Sequence, residues 1–278
     1  MKTPDYFQTL WGISAVDKIT ETPTSHLYKA QHNAQTCVLK IYTAHGKKCE
    51  ADSGPFLQHI NGNGCVNVIQ GNEDALLLEY IDGNTLQPLI LDGRDKEATE
   101  IIAATLHKIH SAPLPSQSFP TLNDRFESLF LHEQKGAPDI INHGAHLARQ
   151  ALKENHPQTL LHGDMHHENI MQCSNQGWVA IDPQPCIGDP AYDCANTLHN
   201  PHQMFHLTED KDRLLMQANI FGDRMGIDPQ RIINYAFIHG CLSACWAFDD
   251  DGESFENSPS IRTSETLKNY ITLDKHHE

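Results

Sequence analysis

Three histidines, an aspartate, a glutamate and an asparagine fall within the nine residues HGDMHHENI at 162–170. Side chains of these types, when crowded together, either bind metal ions or orient and activate a hydroxyl group. Their spacing helps to separate the two uses. Asp164 and Asn169 are five residues apart, in the pattern D-x-x-x-x-N, and an apolar stretch downstream ends at Asp182 in the sequence IDP.

This order of residues fits the transfer of a phosphoryl group from ATP. In that reaction one aspartate accepts a hydrogen bond from the attacking hydroxyl group, while an asparagine and a second aspartate hold Mg²⁺ against the phosphates. Two upstream features also come in the right order. Lys40 lies in the apolar stretch VLKIY at 38–42, and a second apolar stretch, LLLEY at 76–80, precedes a turn-rich segment.

The alternative for the same stretch is the metal centre of a metal-dependent hydrolase. The candidate ligands would be His162, Asp164, His166 and His167. Residues two apart share a face only in a strand, whereas Gly163 and the polar run after it favour a loop. No further ligands are marked by their spacing. The chain has 19 histidines, which lowers the significance of any one of them.

The elements that must position these residues change in type along the chain. TCVLKIY at 36–42 and ALLLEYI at 75–81 are predicted strands, because they are rich in β-branched and apolar residues. IDGNTL at 81–86 has turn-forming residues and is predicted to be a hinge. After it, helices dominate, and they are interrupted by two short predicted strands, TLLH at 159–162 and WVAID at 178–182.

Three helix starts are predicted in the C-terminal half, at Thr208 before an acidic pair, at Asp228 before a proline, and at Ser258 before another proline. The apolar run at 236–248 is too short to span a bilayer and predicts a buried helix. The fold class is therefore α+β with two lobes. A small strand-rich lobe is expected at 1–82 and a larger, mostly helical lobe at 83–278.

The charge and the cysteines restrict the partners and the compartment. The formal net charge is −16, which argues against nucleic acids and anionic membrane surfaces and favours a small-molecule partner, including a cationic one. The N-terminal residues contain no apolar stretch of signal-peptide length. The eight cysteines are scattered, so we expect reduced thiols and a cytoplasmic location.

Two stretches, LLHGDMHHENIM at 160–171 and WVAIDPQPCIGDPAYD at 178–193, resemble the aminoglycoside phosphotransferase superfamily. The paired histidines after Asp164, the G-D-P-x-x-D run and the later WAFDDDG at 246–252 favour its streptomycin and hydroxyurea phosphotransferase branch. The resemblance extends from about Lys40 to Asp251. It implies a protein-kinase-like two-lobed fold and an ATP-dependent kinase of the antibiotic-resistance type.

The resemblance implies roles for residues that match the family by position. Asp164 would be the catalytic base or orienting carboxylate, and Asn169 and Asp182 would bind Mg²⁺. Lys40 would contact the α- and β-phosphates of ATP, with Glu50 from the following helix as its ion-pair partner.

The remaining ATP contacts are expected from the strand-rich lobe. TETPTSHLYKA at 20–30 takes the place of the phosphate-covering loop but has no glycine, so Thr24, Ser25 and nearby amides would have to approach the phosphates. The backbone of the hinge strand is expected to bind adenine, at Glu79, Tyr80 and Ile81.

An acceptor site is predicted at the end of the long apolar helix. We expect this helix from about Pro229 to Phe248, followed by the three aspartates 249–251, whose charge opposes the helix dipole. The hypothesis is that Asp249, Asp250 or Asp251 pairs with an amino or guanidino group of the acceptor near Asp164. Trp246 would add a flat wall to that pocket. A solvated acidic loop is the alternative.

The resemblance thus implies transfer of the γ-phosphoryl group of Mg-ATP to a hydroxyl of an aminoglycoside or aminocyclitol such as streptomycin. A housekeeping kinase of an amino alcohol, sugar or fructosamine-like metabolite is one alternative, because a fold does not fix a substrate. A non-catalytic nucleotide-binding module is another, motivated by the missing glycines. The metal-dependent hydrolase is the third.

Overall fold

The computed structural model describes residues 2–271, which form an α+β arrangement. The helices are α1 Pro4–Trp11, α2 Gly46–Cys49, α3 Ser53–Ile60, α4 Gln87–Leu91, α5 Asp95–His110, α6 Leu122–Arg125, α7 Glu127–Gln134, α8 Asp139–Ala151, α9 Ala191–Leu198, α10 Phe205–Thr208, α11 Lys211–Met225, α12 Pro229–Asp251 and α13 Pro259–Leu267. The strands are β1 Ser14–Glu21, β2 Ser25–His32, β3 Gln35–Tyr42, β4 Val68–Gly71, β5 Ala75–Glu79, β6 Thr159–Leu161, β7 Ile170–Cys173, β8 Gly177–Ala180 and β9 Cys186–Gly188.

The chain folds into two compact units. Residues up to Asn84, together with Met171–Pro185, form the first unit. Thr85–Ile170 and the described residues from Cys186 onward form the second. The sequence predicts a single boundary after residue 82 and contains no local signal that a distant segment joins the first unit.

Hydrogen bonds explain why the segment 171–185 belongs to the first unit. The backbone N–H of Gln172 donates to the carbonyl oxygen of Asn84 over 2.9 Å. The N–H of Ser174 donates to the carboxylate of Asp82 over 3.1 Å. These contacts join residues about ninety positions apart in the chain, a separation that local sequence patterns do not reveal.

A five-stranded antiparallel sheet forms the centre of the first unit, in the order β1-β2-β3-β5-β4. The predicted strands at 36–42 and 75–81 are the neighbours β3 and β5 in this sheet. Lys40 lies in β3, opposite Leu27 of β2 and Leu76 of β5. One face of the sheet is covered by a buried apolar cluster, which consists of Phe7, Trp11, Ile13, Ala30, Cys37, Leu39, Ile41, Ala75 and Leu77.

Helix α12 is the central helix of the second unit and packs against α8, α9, α11 and α13. Its start is as predicted, because the side chain of Asp228 accepts a hydrogen bond from the N–H of Gln230 over 3.0 Å. The helix extends to Asp251, three residues beyond the expected end at Phe248. Gly252 ends it with a positive φ of 68°, which a residue without a Cβ adopts readily.

The predicted helix start at Thr208 is wrong by two residues. Thr208 is the last residue of the short helix α10, and α11 begins at Lys211. The capping residue is Asp210, whose carboxylate accepts a hydrogen bond from the N–H of Asp212 over 2.9 Å. Several N-cap types occurred in a row, and only the local backbone decides which of them caps the helix.

Short strands carry the residues of the chemically active stretch. β6 pairs antiparallel with β9 in the second unit, and β7 pairs with β8. The predicted strand at 178–182 ends earlier, at Ala180, so Asp182 lies just beyond β8. Within residues 2–271, no helix is both long and apolar enough to cross a membrane.

Candidate active site

The stretch 162–170 forms a tight loop between β6 and β7 in the structure. Gly163 adopts a positive φ of 79°, a conformation that favours glycine because it has no Cβ. The chain then runs through a single 3₁₀ turn at His167–Asn169. The loop therefore presents its polar side chains from an irregular but hydrogen-bonded backbone.

Asp193, from α9, holds the start of this loop. Its carboxylate accepts hydrogen bonds from the N–H of His162 over 2.8 Å and from the N–H of Gly163 over 2.7 Å. The ring of His110 lies 2.8 Å from the same carboxylate. Burial works to raise the pKa of Asp193, but the hydrogen bond and charge of His110 hold it below the usual value. Asp193 therefore anchors the start of the loop.

Asp189 stabilises the start of α9. Its carboxylate accepts a hydrogen bond from the N–H of Ala191 over 2.9 Å. Its other oxygen lies 3.2 Å from the guanidinium of Arg231. The carboxylate thus holds the helix that carries Asp193, and it reaches the loop only through that helix.

Asp164 and Asn169 contact each other directly. The side-chain N–H₂ of Asn169 donates to the backbone oxygen of Asp164 over 2.9 Å and to its carboxylate over 3.0 Å. The five-residue spacing therefore closes the loop on itself. Because the nitrogen of the Asn169 amide is used in this way, its carbonyl oxygen is the atom left for a ligand.

Histidines surround the carboxylate of Asp164. The ring of His166 lies 3.8 Å from it. Burial works to raise the pKa of Asp164, but the contact with His166 and the proximity of His162 hold it below the usual value. The carboxylate is therefore ionised and able to accept a hydrogen bond at neutral pH.

Sequence reasoning missed a second amide at this carboxylate. The side-chain N–H₂ of Asn196, in α9, donates to Asp164 over 2.7 Å. The two residues are 32 positions apart, and no short motif marks such a contact. Only the three-residue spacing of Asp193 and Asn196 along α9 could have drawn attention to Asn196, because residues three or four apart share a helix face.

A polar cavity of about 290 Å³ opens beside Asp164 within the second unit. Its wall is made of amide, hydroxyl, imidazole and carboxylate side chains, contributed by Asp164, His166, Glu168, Asn196, His199, Asn200, His202, His239, Ser243 and Ser260. Burial lowers the pKa of His199 to about 4 and that of His239 to about 3, so both rings are neutral hydrogen-bonding groups at pH 7.

The residues that the sequence suggested for acceptor binding lie outside the wall of this cavity. Trp246 is half-buried, with the guanidinium of Arg125 5.9 Å from its ring centroid. Asp249 accepts a hydrogen bond from Ser128 over 2.7 Å and lies 2.9 Å from the ring of His132. The last two aspartates of α12, Asp250 and Asp251, are exposed. Their contact with an acceptor stays a prediction.

The first unit contains Lys40, the predicted phosphate contact, together with the carboxylates of Glu50 and Asp182. The ammonium of Lys40 forms an ion pair with Glu50 and lies 2.5 Å from a carboxylate oxygen of Asp182. Lys40 and Glu50 are 6% and 3% exposed, so this pair is buried and its charges depend on each other. Glu50 reaches Lys40 from the irregular residues between α2 and α3, directly after Cys49.

Asp182 has an unusual backbone. Its φ is +56°, in the left-handed region that non-glycine residues seldom adopt. The next residue is Pro183, which further restricts the residue before it. Such a conformation costs about 1–3 kcal/mol and persists where the surrounding structure requires it, often at functional sites. Half of the Asp182 side chain remains exposed despite its contact with Lys40.

The segment that was predicted to cover the phosphates forms parts of β1 and β2 and the turn between them. The hydroxyl of Thr22 accepts a hydrogen bond from the N–H of Ser25 over 3.0 Å. The carbonyl oxygen of Thr24 accepts one from the N–H of Thr43 over 2.8 Å. Ser25 is buried, so its amide and side chain are already used within the turn. Thr24 is the more accessible of the two predicted phosphate contacts.

The predicted adenine-binding residues lie at the end of β5. The N–H of Glu79 donates to the carbonyl oxygen of Asn67 over 3.0 Å, and its carboxylate accepts hydrogen bonds from Asn67 and Gln176. Tyr80 has the ammonium of Lys29 4.4 Å from its ring centroid. Ile81 is buried. The side chain of Glu79 therefore stabilises the first unit itself.

The residues fit a magnesium ion better than a resident transition metal. Among residues 2–271, no group of three or more His, Cys, Asp or Glu side chains is arranged to hold a metal ion. The metal-dependent hydrolase therefore has no ligand group there. Each predicted magnesium ligand offers, within its own unit, a hard oxygen donor of the kind that Mg²⁺ prefers. In the second unit this is the carbonyl oxygen of the Asn169 amide, and in the first it is the half-exposed carboxylate of Asp182.

The amino-acid sequence matches a known family of kinases and several of its members. Residues 10–252 match the family model described as aminoglycoside/hydroxyurea antibiotic resistance kinase. Streptomycin 3''-kinase of Klebsiella pneumoniae is 33% identical over 197 residues, which cover 68% of this chain and 73% of that protein. Streptomycin 6-kinase of Streptomyces griseus is 26% identical over 202 residues, which cover 68% of this chain and 64% of that protein.

Solved structures resemble the whole chain at low sequence identity. Ethanolamine kinase of Plasmodium vivax has a TM-score of 0.68 and 16% identity, and the match covers 96% of this chain and 88% of that one. A thermostable mutant of aminoglycoside phosphotransferase APH(4)-Ia, in a ternary complex with ADP and hygromycin B, has a TM-score of 0.68 and 16% identity, covering 98% of this chain and 100% of that one. The expected α+β, protein-kinase-like fold is confirmed.

Proposed function

This chain belongs to the family of aminoglycoside/hydroxyurea antibiotic resistance kinases, and we propose that it transfers the γ-phosphoryl group of Mg-ATP to a hydroxyl of an aminoglycoside or aminocyclitol such as streptomycin. That the chain is an ATP-dependent phosphotransferase with an alcohol group as acceptor follows from its family. The use of magnesium and the identity of the acceptor are the parts that we propose.

The observation that carries the proposal is the ionised carboxylate of Asp164 at the wall of a polar cavity. A hydroxyl group in that cavity would donate its hydrogen bond to Asp164, which orients the oxygen for attack. As the acceptor oxygen bonds to Pγ, the bond from Pγ to the β,γ-bridging oxygen breaks. ADP leaves with that electron pair, and the hydroxyl proton goes to the carboxylate of Asp164.

Lys40 is the proposed contact for the α- and β-phosphates. Its ion pair with Glu50 holds the ammonium in one place, so that little conformational entropy is lost when the nucleotide binds. The turn residues Thr24 and Ser25 are proposed to face the phosphates, Thr24 with the more accessible side chain. The proposed adenine contacts come from the end of β5, at Glu79, Tyr80 and Ile81.

Asn169 and Asp182 are the proposed magnesium ligands. Their available oxygens are the carbonyl of the Asn169 amide and the exposed part of the Asp182 carboxylate. When bound, the ion would neutralise phosphate charge. The contact of one Asp182 carboxylate oxygen with Lys40 leaves half of the side chain exposed to a ligand.

The cavity wall supports a polyhydroxylated acceptor. Its amides, hydroxyls and neutral imidazoles donate and accept hydrogen bonds, and no Phe, Tyr or Trp is among its lining residues. Quaternary ammonium groups are typically bound by such aromatic rings. Cationic groups of the acceptor are proposed to meet Trp246 and the carboxylates of Asp249, Asp250 and Asp251.

The test is a screen for acceptor-dependent release of ADP by the full chain. Streptomycin, hygromycin B, ethanolamine, choline, a hexose and a fructosamine would be compared, and the Asp164→Asn variant would control for contaminating ATPases. We expect saturable release with streptomycin that needs Mg²⁺. Release with ethanolamine or a sugar alone would replace the proposed acceptor with a metabolite, and no release with any acceptor would overturn the proposal.

We also propose a cytoplasmic location. The eight cysteines, all within residues 2–271, form no disulfide. Six of them, all except Cys49 and Cys173, are fully inaccessible to solvent. Proteins of reducing compartments keep their thiols unpaired. Cell fractionation with an antibody to the chain would test the location, and recovery with the periplasmic fraction would contradict it.

A further inference from the structure

Asp164 has a hydrogen bond to each of its carboxylate oxygens. The amide of Asn169 donates to Oδ2 over 3.0 Å, and the amide of Asn196 donates to Oδ1 over 2.7 Å. Hydrogen bonds from two sides fix the rotation of a carboxylate, which otherwise turns freely about its last bond. The bond from Asn196 is the shorter of the two, and its donor lies in a helix, which is a more rigid support than the loop that carries Asn169.

The orientation of the Asn196 amide is itself determined. The side-chain N–H₂ of Asn200 donates to Oδ1 of Asn196 over 3.0 Å and to its backbone oxygen over 2.9 Å. With its oxygen occupied by this donor, Asn196 directs its own N–H₂ toward Asp164. A flipped amide would place two oxygens against each other at Asp164 and two N–H₂ groups against each other at Asn200.

The chain of hydrogen bonds continues to a buried ion pair. Arg213 donates to the carbonyl oxygen of Asn200 over 2.9 Å and forms two hydrogen bonds with Asp95, of 2.7 and 3.1 Å. Arg213 is 6% exposed, and its two hydrogen bonds to the same carboxylate fix the orientation of the guanidinium. Asn200 is thus held between the ion pair and Asn196.

Helix α9 connects this series of hydrogen bonds with the backbone of the loop at 162–170. Asp193 and Asn196 are three residues apart and therefore lie on one face of the helix. Asp193 holds the amides of His162 and Gly163, while Asn196 holds the carboxylate of Asp164. One rigid element thereby fixes both the backbone of the loop and its reactive side chain.

We infer that Asn196 is a positioning residue, which orients the Asp164 carboxylate toward the acceptor hydroxyl, and that Asn200 acts through Asn196. The inference rests on the proposed function for its kinetic consequence, but its geometry does not depend on any acceptor. Because Asn196 donates its hydrogen bond to Asp164 itself, we expect its loss to lower the turnover rate and to leave ATP binding unchanged.

The kinetic test compares substitutions that remove the donor in different ways. Asn196→Asp keeps the shape but replaces the donor with an acceptor, and Asn196→Ala removes the group. We expect kcat to fall about 10- to 100-fold in both variants, as for a lost hydrogen bond to a charged group, with the KM for ATP within about twofold. Asn200→Ala should cause a smaller fall of the same kind.

The matched control is Asn142→Ala. Asn142 lies in α8 and donates one hydrogen bond to the backbone oxygen of Ala137. It does not line the cavity. We expect its kcat and both KM values to stay unchanged. A rise in the acceptor KM alone in the Asn196 variants would mean that Asn196 binds the acceptor, and unchanged kcat in both variants would mean that it does not position Asp164. Either result overturns the inference.

A spectroscopic test separates this inference from the proposed function. The side-chain amide of Asn196 can be identified in the ¹⁵N–¹H spectrum of the full chain by its loss in Asn196→Asp. We expect its proton and nitrogen shifts to move in Asp164→Ala and to stay in place in Asn142→Ala. Unmoved shifts in Asp164→Ala would overturn the inference even if the enzyme is active. Absence of turnover with every acceptor, together with moved shifts, would reject the proposed function and keep the contact.

Discussion

Lys40 and Asp182 are 142 residues apart in the chain, and their side chains meet over 2.5 Å in the first unit. The carboxylate of Glu50 forms an ion pair with the same ammonium. Burial lowers the pKa of Lys40, but the charges of Asp182 and Glu50 outweigh this effect and raise it. The ammonium is therefore kept charged in a site where water is largely excluded, which is the condition for a strong contact with phosphate.

Glu50→Gln should destabilise the first unit. Removal of one partner from a buried ion pair costs about 3–5 kcal/mol when no other partner remains, and somewhat less here because Asp182 still contacts Lys40. We expect a lower free energy of unfolding and a raised KM for ATP, measured by urea denaturation and steady-state kinetics. Glu97→Gln, in the exposed pair with Arg94, is the control and should cost less than about 1 kcal/mol. Equal losses in both variants would contradict the importance of the buried pair.

Removal of magnesium should weaken ATP binding, and Asp182→Ala should abolish that dependence. The reason is that Asp182 would supply a hard oxygen donor to the ion, whose charge would offset that of the phosphates. The measurement is calorimetric titration of ATP with Mg²⁺ and with EDTA. Asp17→Ala, which removes an exposed aspartate from β1, should behave like the unmodified chain. The assignment fails if the unmodified chain binds ATP equally well with and without Mg²⁺.

Asp164→Asn should lower kcat by about 10²–10⁴, with ATP affinity little changed, because the variant keeps the size of the side chain but loses the charge that orients the acceptor hydroxyl. Single-turnover kinetics with saturating acceptor would measure it. Asp212→Asn, at an exposed position of α11, is the control. Turnover near that of the unmodified chain in Asp164→Asn would remove Asp164 from the mechanism.

The predictions made from the sequence succeeded where the information is local. The strand around Lys40 and the apolar run of α12 follow from residue types within one element. The contact between Asp164 and Asn169 likewise lies within one loop, where spacing alone brings two side chains together. The order of these parts along the chain, together with the family resemblance, then predicted the protein-kinase-like fold.

Contacts between distant segments could not be predicted in this way. The contact of Asn196 depends on how α9 packs within the second unit, and the ion pair of Asp182 depends on how the residues after β8 pack within the first. No short motif encodes either packing. Asp249 is a similar case, because its partner His132 is 117 residues away. A negative charge at this position opposes the helix dipole, as predicted. The contact with His132, from another helix, stabilises the carboxylate there.

The buried histidines of the cavity should make the protein lose stability in acid. An unfolded histidine takes up its proton at about pH 6.5, whereas folded His199 does so only at about 4 because burial disfavours the charged ring. Between these values the unfolded state binds more protons, so the free energy of unfolding falls as the pH falls, by at most about 1.4 kcal/mol per pH unit for one histidine.

His199→Gln should make this pH dependence less steep between about pH 6.5 and 4. Urea denaturation at several pH values would measure the slope, which is compared in place of absolute stability because the substitution also alters packing. His206→Gln is the control, since that ring is exposed. An unchanged slope in His199→Gln, or an equal change in both variants, would contradict the role assigned to burial.

The three aspartates at the end of α12 should differ in what their single neutralisation changes, either the stability of the protein or the KM for the acceptor. Asp249→Asn removes a hydrogen-bond partner of His132, which is 6% exposed, so we expect a lower melting temperature. Asp250 and Asp251 are exposed and available to a cationic acceptor. For one of them, Asp→Asn should raise the KM for streptomycin about 10- to 100-fold, the value of one charge-assisted contact, and leave the KM for ATP unchanged. The uncharged acceptor of lowest KM in the screen is the control, because its KM should not respond. Unchanged KM for streptomycin in all three variants would reduce these aspartates to a solvated helix end.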